Sequence, residues 1–268
     1  MFRYMENQSW RKLRRVLGRK NAPELCKERD DSGLTLVGMA LGFEAPLDII
    51  KNILTKDPSQ ADATDFYGAT PLHVACLNGA SLEAVEFLLG NYNHLATTMD
   101  KDNRVPLHHA VECLCRNEIE YSEGTKVIEA LTRVDPNAIY AADKHSDTPI
   151  DLVQLARMEV NAESKEYKRL TKIYLFLTSI CTKRYVENRK MWEENGYAPT
   201  KKKNGDDKSR NTKSTTQSSV SNASSWSDQM DVSVACVEVP DTMGESSSHS
   251  MRISDDCDQG NRRRFWKK

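Results

Sequence analysis

A phrase of eleven residues that begins with an aspartate occurs four times in the chain and restricts the folds open to it. The phrases read DDSGLTLVGMA, DFYGATPLHVA, DKDNRVPLHHA and DKHSDTPIDLV, and their first residues, at positions 30, 65, 100 and 143, lie 35, 35 and 43 residues apart. Upstream of the first three phrases, apolar residues recur with steps of 3, 3 and 1. Two patterns that share one register indicate a structural repeat of about 35 residues.

Each unit is predicted to consist of a turn and two short helices. In the second phrase Gly68 suits a turn position with positive φ, and Asn103, which tolerates the same conformation, holds the same place in the third phrase. Thr70 is a favoured N-cap residue, and Pro71 suits the first position of a helix. The apolar pattern with steps of 3, 3 and 1 predicts the buried face of the second helix. Because one unit cannot bury its apolar face alone, the units must stack, and the predicted fold is an all-α solenoid.

The second phrase resembles the ankyrin repeat, whose T-P-L-H-x-A motif appears here at residues 70–75. The resemblance covers roughly residues 8 to 160. The chain departs from the motif at four positions where proline, histidine, threonine and histidine are expected, namely Leu36, Gly38, Val105 and Asp151. The resemblance implies a structural role for the residues of the repeated motif. These are Gly68, Thr70, Pro71, Leu72, His73, Pro106, Leu107, His108, Thr148 and Pro149.

The repeats divide the chain into four kinds of segment. Residues 1–29 are predicted to be an N-terminal capping half-repeat that supplies only a second helix and its exit. The eight extra residues of the third repeat are expected between its helices, around residues 116–123, as a longer first helix or an acidic loop. The repeats are predicted at 30–64, 65–99, 100–142 and, in degenerate form, 143–162. Residues 163–197 are predicted to form a long helix that caps the last repeat or, alternatively, mediates dimerisation. Residues 198–268 are predicted to be a disordered tail rich in Ser, Lys and Asp.

Two histidines and two cysteines of the third repeat have the residue types of a zinc site. They are His108, His109, Cys113 and Cys115. However, the resemblance assigns His108 to hydrogen bonds near the start of its helix, and cysteine is common in buried faces. We therefore expect no metal and no other cofactor. Since the chain contains no recognisable nucleophile motif and no glycine-rich phosphate loop, we predict no catalytic residue and no enzymatic activity.

The row of turn tips is the predicted binding surface. Phe66 and Tyr67 are aromatic residues at a turn that requires neither, and aromatic residues beside charges are typical of protein interfaces. Packing of these rings on an adjacent tip is the alternative. The candidate protein-binding residues are Phe66, Tyr67, Lys101, Asp102, Arg104, Lys144 and His145. The predicted function is that of an adaptor or scaffold that binds a protein partner on the concave face of turn tips and first helices.

Charge and cysteine content limit the partners and the compartment. The formal net charge is -1, which gives no reason to expect nucleic acid or a membrane as a partner. Basic runs at 201–203 and 262–264 leave open a nuclear regulatory protein that uses its tail, and the targeting subunit of an enzyme complex is a further alternative. Seven irregularly spaced cysteines and the lack of a secretory signal indicate an intracellular protein, cytoplasmic or nuclear. We expect a monomer with no small-molecule substrate.

Overall fold

The computed structural model describes residues 1–194, so the predicted tail lies outside the described residues. Residues 1–194 are mainly helical, and this part of the chain has no β-strand. Short 3-10 turns occur at Pro58–Ala61, Asn93–Thr97 and Ala138–Tyr140. The α-helices are α1 (Phe2–Glu6), α2 (Trp10–Leu17), α3 (Ala22–Cys26), α4 (Leu36–Gly42), α5 (Leu47–Lys56), α6 (Pro71–Leu77), α7 (Leu82–Asn91), α8 (Pro106–Cys115), α9 (Tyr121–Val134), α10 (Pro149–Met158) and α11 (Lys165–Glu194).

The helices of residues 1–194 stack in two rows. Helices α4, α6, α8 and α10 pack side by side as the first helices of successive units, and α5, α7 and α9 form a row of second helices behind them. In α5 and α7 the residues at the last three positions of each 3, 3, 1 pattern are buried, and they form the core between the rows. The predicted all-α solenoid of turn–helix–helix units is therefore confirmed over these residues.

The N-terminal segment contains a helix, α1, that the sequence did not predict. Helix α1 packs on α4 in the row of first helices, α2 packs on α5 in the second row, and Met5 of α1 is fully buried. The expectation that residues 1–29 supply only a second helix and its exit is therefore wrong, because α1 takes the place of a first helix. This short helix covers the apolar side of α4 and supplies one wall of the groove described below.

The extra residues of the third repeat lengthen both of its helices. Helix α8 has 10 residues where α4 and α6 have 7, and α9 has 14 where α5 and α7 have 10. The longer first helix is thus present, whereas Tyr121 and Glu123 of the alternative acidic loop lie inside α9. Gly124 permits this close packing, since a Cβ at that position would lie 2.8 Å from Cδ1 of Leu114.

The first half of α11 packs on α10 and buries Leu170, Ile173 and Leu177. Arg169 of α11 donates hydrogen bonds to the last carbonyl groups of α8, at Leu114 (2.7 Å) and Cys115. Carbonyl groups in the last turn of a helix accept no hydrogen bond from within that helix, so they can bind Arg169, which ties the long helix to the third repeat. None of the helices in residues 1–194 is long and apolar enough to cross a membrane.

Candidate functional site

The four repeated aspartates give the turn tips a common shape. In each tip the aspartate Oδ1 accepts hydrogen bonds of 2.7–3.1 Å from the backbone N–H groups two and four residues later. The residue three positions after the aspartate has a positive φ, and these residues are Gly33, Gly68, Asn103 and Ser146. The aspartate and this left-handed residue set the turn, so the two side chains between them can differ from tip to tip.

Backbone hydrogen bonds join the tips into a row. The N–H of Phe66 donates to the carbonyl of Ser32 at 3.0 Å, and the N–H of Lys101 donates to the carbonyl of Tyr67 at 2.9 Å. The N–H of Lys144 donates to the carbonyl of Asp102 at 2.9 Å. Equivalent positions of successive tips are therefore held next to one another.

His73 links the second unit to the third. Its Nδ1 accepts a hydrogen bond from the backbone N–H of Thr70 at 3.1 Å, so its Nε2 carries the proton and donates to the carbonyl of Arg104 at 3.0 Å. Burial, together with the nearby His109, lowers the pKa of His73 to about 3, so the ring is neutral at pH 7. The structural role that the resemblance implies for His73 thus consists of one hydrogen bond within its own unit and one to the next unit.

His108 repeats this arrangement between the third and fourth units. Its Nδ1 accepts from the N–H of Val105 at 3.2 Å, and its Nε2 lies 3.3 Å from the carbonyl oxygen of Asp147. Burial lowers the pKa of His108 as well. In the fourth unit Asp151 takes the place of the histidine and accepts from the N–H of Thr148 at 2.9 Å. One pattern of local hydrogen bonds thus starts α6, α8 and α10.

A family model for ankyrin repeats, with three copies, matches residues 37–149. These residues belong to the ankyrin-repeat family. Ankyrin repeats are generally protein–protein interaction modules, and the family is typically non-catalytic. A comparison with curated proteins finds no match to the chain.

The ankyrin repeats and α1 enclose a groove of about 620 Å³ beside the first two tips. Four aromatic residues and four acidic residues contribute to its lining, among other side chains. The aromatic residues are Phe2, Phe43, Phe66 and Tyr67, and the acidic residues are Glu6, Asp30, Asp31 and Asp65. An acidic groove with aromatic walls can bind apolar and basic side chains of another polypeptide.

Phe66 is the most accessible aromatic residue of this lining. Its side chain is 64% exposed, although one face of the ring rests on the first tip, where a Cβ added at Gly33 would lie 2.7 Å from Cδ1 of Phe66. Tyr67 is half-buried. Both sequence interpretations of Phe66 therefore apply, because the ring contacts the adjacent tip and still presents most of its surface to solvent.

The other candidate binding residues lie at the third and fourth tips, outside the groove lining. Lys101 donates from Nζ to the carbonyl of Phe66 at 2.8 Å, and Lys144 pairs with Asp102 at 2.8 Å. The side chain of Arg104 is only 13% exposed, and it pairs with the carboxylates of Asp143 and Glu112 at 3.2 and 3.3 Å. Arg104 therefore stabilises the stack, and less of it is available to a partner than its position suggests. His145 is exposed, and binding roles for all five residues stay predictions.

A buried hydrogen bond between a histidine and an aspartate of the third unit was not predicted. Nε2 of His109 lies 2.9 Å from Oδ2 of Asp100, and both side chains are 1% exposed. Burial acts to raise the pKa of Asp100, but hydrogen bonds from His109 and from two backbone N–H groups lower it to about 2. The only sequence signal for this pair is the second histidine of PLHHA, which stands where the second repeat has Val74.

The third-repeat histidines and cysteines considered as metal ligands are placed in the packed interior. His109 binds Asp100, His108 binds backbone groups, and burial raises the pKa of the Cys115 thiol to about 12. Within residues 1–194 no group of three or more His, Cys, Asp or Glu side chains could hold a metal ion.

Three residues of the groove lining were also missed by the sequence prediction. Phe2 and Glu6 belong to α1, which was not predicted, and Phe43 follows the last residue of α4. No repeat motif marks any of them. Their place in the groove depends on the packing of α1 on α4.

Proposed function

We propose that this protein is a non-catalytic adaptor or scaffold that binds a protein partner in the concave groove of its first two ankyrin tips. The exposed ring of Phe66 at the edge of that groove is the observation that carries the proposal. The binding face is the one formed by turn tips and first helices. The partner is an intracellular protein, and the adaptor itself is a monomer.

The conformation of the second turn does not require an aromatic residue at position 66, and the contact of the ring with the first tip leaves most of its surface in water. Asp65 accepts the hydrogen bonds that shape the second tip, and Gly68 supplies its positive φ. An exposed aromatic ring keeps apolar surface in water, and burial of that surface by a partner is favourable by roughly 25 cal/mol per Å². Aromatic residues in this position are typical of the anchors that dominate protein interfaces.

The charged tips support the same proposal in a different way. Lys101, Lys144 and His145 are exposed beside the groove, at the third and fourth tips. Charges at the rim of an interface act mainly on the association rate and on orientation, and less on affinity. We therefore assign the anchoring role to Phe66 and Tyr67, and a steering role to the basic residues.

The test uses the full chain as bait to recover a partner and then compares variants by calorimetry. The double variant Phe66→Ala with Tyr67→Ala should weaken binding about thirtyfold, which corresponds to about 2 kcal/mol. Its melting temperature should stay close to that of the wild type, since the turn depends on Asp65 and Gly68. Val134→Ala is the matched control, because Val134 is 38% exposed at the end of α9 in the second row. Unchanged affinity in a folded double variant would place the binding site on another surface.

A further inference from the structure

The groove has an excess of negative charge. Among the described residues, its lining contains the carboxylates of Glu6, Asp30, Asp31 and Asp65 and one guanidinium, that of Arg29. Arg29 is engaged with the turn, because its Nη1 donates to the carbonyl groups of Gly33 (2.7 Å) and Thr64 (2.8 Å).

Two of these carboxylates are accessible to a ligand. Glu6 and Asp31 are exposed, and neither forms an ion pair with another of residues 1–194. The exposed Phe66 ring lies in the same groove. Cations are attracted both to carboxylates and to the faces of aromatic rings, so the groove should select a segment that combines cations with apolar rings.

The chain itself contains a segment of this chemistry. Residues 262–268 read RRRFWKK, in which three arginines and two lysines flank Phe265 and Trp266. The five cations complement the acidic side chains of the groove, and the two rings match its aromatic walls. The segment, which lies outside the described residues, is thus complementary to the groove in charge and similar to it in aromatic content.

We propose that residues 262–268 bind in the groove of the same chain and compete there with the protein partner. This inference rests on the proposed function of the groove and adds its regulation. A partner must displace the segment, so any change that weakens the segment increases the affinity for the partner. Because the contact depends on several charge pairs, it weakens as the salt concentration rises.

The connection between the two regions is long enough. The numbering places 67 residues between Glu194, the last residue of α11, and Arg262. Fully extended, they span at most about 220 Å. Four steps of about 10 Å between neighbouring helix pairs, together with the length of α11 at about 45 Å, amount to less than about 100 Å. The segment can therefore reach the groove of its own chain.

The test titrates a fluorescent peptide of residues 258–268 into full-length chains. In one chain the internal segment is disabled by Phe265→Ala with Trp266→Ala, and the other chain is the wild type. The peptide should bind the disabled chain at least about tenfold more tightly, because the intact tethered segment competes for the groove at a high effective concentration. A peptide of the same charge in which Phe265 and Trp266 are replaced by alanine should bind neither chain well.

Groove variants of the disabled chain locate the binding site. Glu6→Lys with Asp31→Lys should weaken the peptide at least about tenfold through charge repulsion. The matched control is Glu86→Lys with Glu129→Lys, which reverses two exposed charges on α7 and α9 in the second row and should leave the affinity unchanged. If the groove variant melts at a lower temperature, Phe66→Ala tests the same site without altering the turn.

Three results would overturn the inference. Equal affinity of the peptide for both chains would show that the internal segment does not occupy the site. Peptide binding that is insensitive to the groove variants would place its site elsewhere. A concentration-dependent dimer of the wild type in sedimentation, absent from the disabled chain, would show that the segment binds a second copy. If Phe66→Ala weakens capture of the partner while the peptide fails to bind, the proposed function stands and this inference alone fails.

Discussion

The first two turn tips and the last two share one backbone but use their side chains differently. At the third and fourth tips polar side chains bind one another: Asp100 and His109 share a buried hydrogen bond, and Arg104 forms an ion pair with Asp143. At the first two tips Asp31 and Phe66 are exposed and face the groove. The repeated aspartates follow the same division, since Asp100 and Asp143 are buried whereas the aspartates of the first two tips are half-buried.

This difference shows how a repeat protein can separate stability from binding. The backbone of every tip is held by an aspartate and a left-handed residue, so the remaining positions can serve either purpose without changing the turn. Charges that pair inside the stack stabilise neighbouring units, and exposed rings and carboxylates remain available to another polypeptide. Substitutions of the buried, paired side chains at the last two tips should therefore lower stability most, and substitutions of the exposed ring and carboxylate at the first two should lower affinity.

The largest effect is expected for Asp100→Ala. The change removes the acceptor of two turn hydrogen bonds and leaves the buried His109 without its partner. The buried hydrogen bond between His109 and the carboxylate adds about 1.5–3 kcal/mol to the loss of the two turn bonds, so the total cost should be about 3–5 kcal/mol. Asp65→Ala is the matched change at the second tip and should cost only about 1–2 kcal/mol, because Asp65 is less buried. Urea unfolding of both variants measures the difference, and equal losses would contradict the division between the tips.

A smaller loss is expected for Arg104→Met, which keeps the apolar stem and removes the charge. The variant leaves the fully buried carboxylate of Asp143 without its cation, at a cost of about 2–4 kcal/mol. Arg29→Met at the first tip removes hydrogen bonds to two carbonyl groups from an exposed side chain, and should cost under about 1 kcal/mol. Chemical unfolding compares the two. If Arg29→Met instead loses more unfolding free energy than Arg104→Met, the stabilising charges would lie at the first tips and not at the last two.

The common features of the tips could be predicted from the sequence, whereas their differences could not. Spacing of the aspartates located all four turns, and residue type identified the positive φ at Gly68 and Asn103. These features depend on residues within one turn. The pairs of Asp100 with His109 and of Arg104 with Asp143 join residues 9 and 39 positions apart, so they depend on how α8 and the next tip pack.

The failure to predict α1, which forms one wall of the groove, has a similar explanation. Helix α1 has five residues and carries no T-P-L-H motif, so its helical conformation depends on packing against α4 rather than on local signals. The sequence also did not predict that both helices of the third repeat are longer. The spacing of the repeats gives the number of extra residues, but it does not show how they are divided between the two helices. The sequence thus predicted the stack and the exposed aromatic tip, but only the structure shows the groove beside that tip.

Acid should weaken the links that depend on histidine. The pKa of His73 is about 3 in the folded protein and near 6.5 in the unfolded chain, so the unfolded chain binds more protons between these values and stability falls as the pH falls below 6.5. His73 alone should cost about 2 kcal/mol between pH 7 and pH 5, at about 1.4 kcal/mol per pH unit below 6.5. The first unit has Gly38 at this position, so its link to the second unit lacks a titrating histidine.

Unfolding by urea at several pH values measures this dependence, and hydrogen exchange locates it. His73→Asn is the matched variant: it should be less stable than the wild type at pH 7 but should lose less stability on acidification. Exchange should increase first around α6 and α8 and last around α4. An unchanged slope between pH 7 and pH 5 in His73→Asn would mean that another group causes the acid sensitivity.

The smallest effect is expected for the ion pair between Lys144 and Asp102, which joins the third and fourth tips at the surface. Its atoms are 2.8 Å apart, but the side chains are 47% and 26% exposed, so water and salt screen the attraction. A double-mutant cycle of Lys144→Met and Asp102→Asn should give a coupling of under about 1 kcal/mol, far below that of the buried pair of Arg104 and Asp143. Unfolding of the four chains at low and at high salt measures the coupling, which should decrease as salt is added. If the coupling energy of the exposed pair instead equals that of the buried pair, solvent exposure does not distinguish charges that stabilise the stack from charges that can bind a partner. Lys144 could then no longer be assigned a steering role. If the coupling is small, the lysine can turn to a partner at little cost in stability, as steering requires.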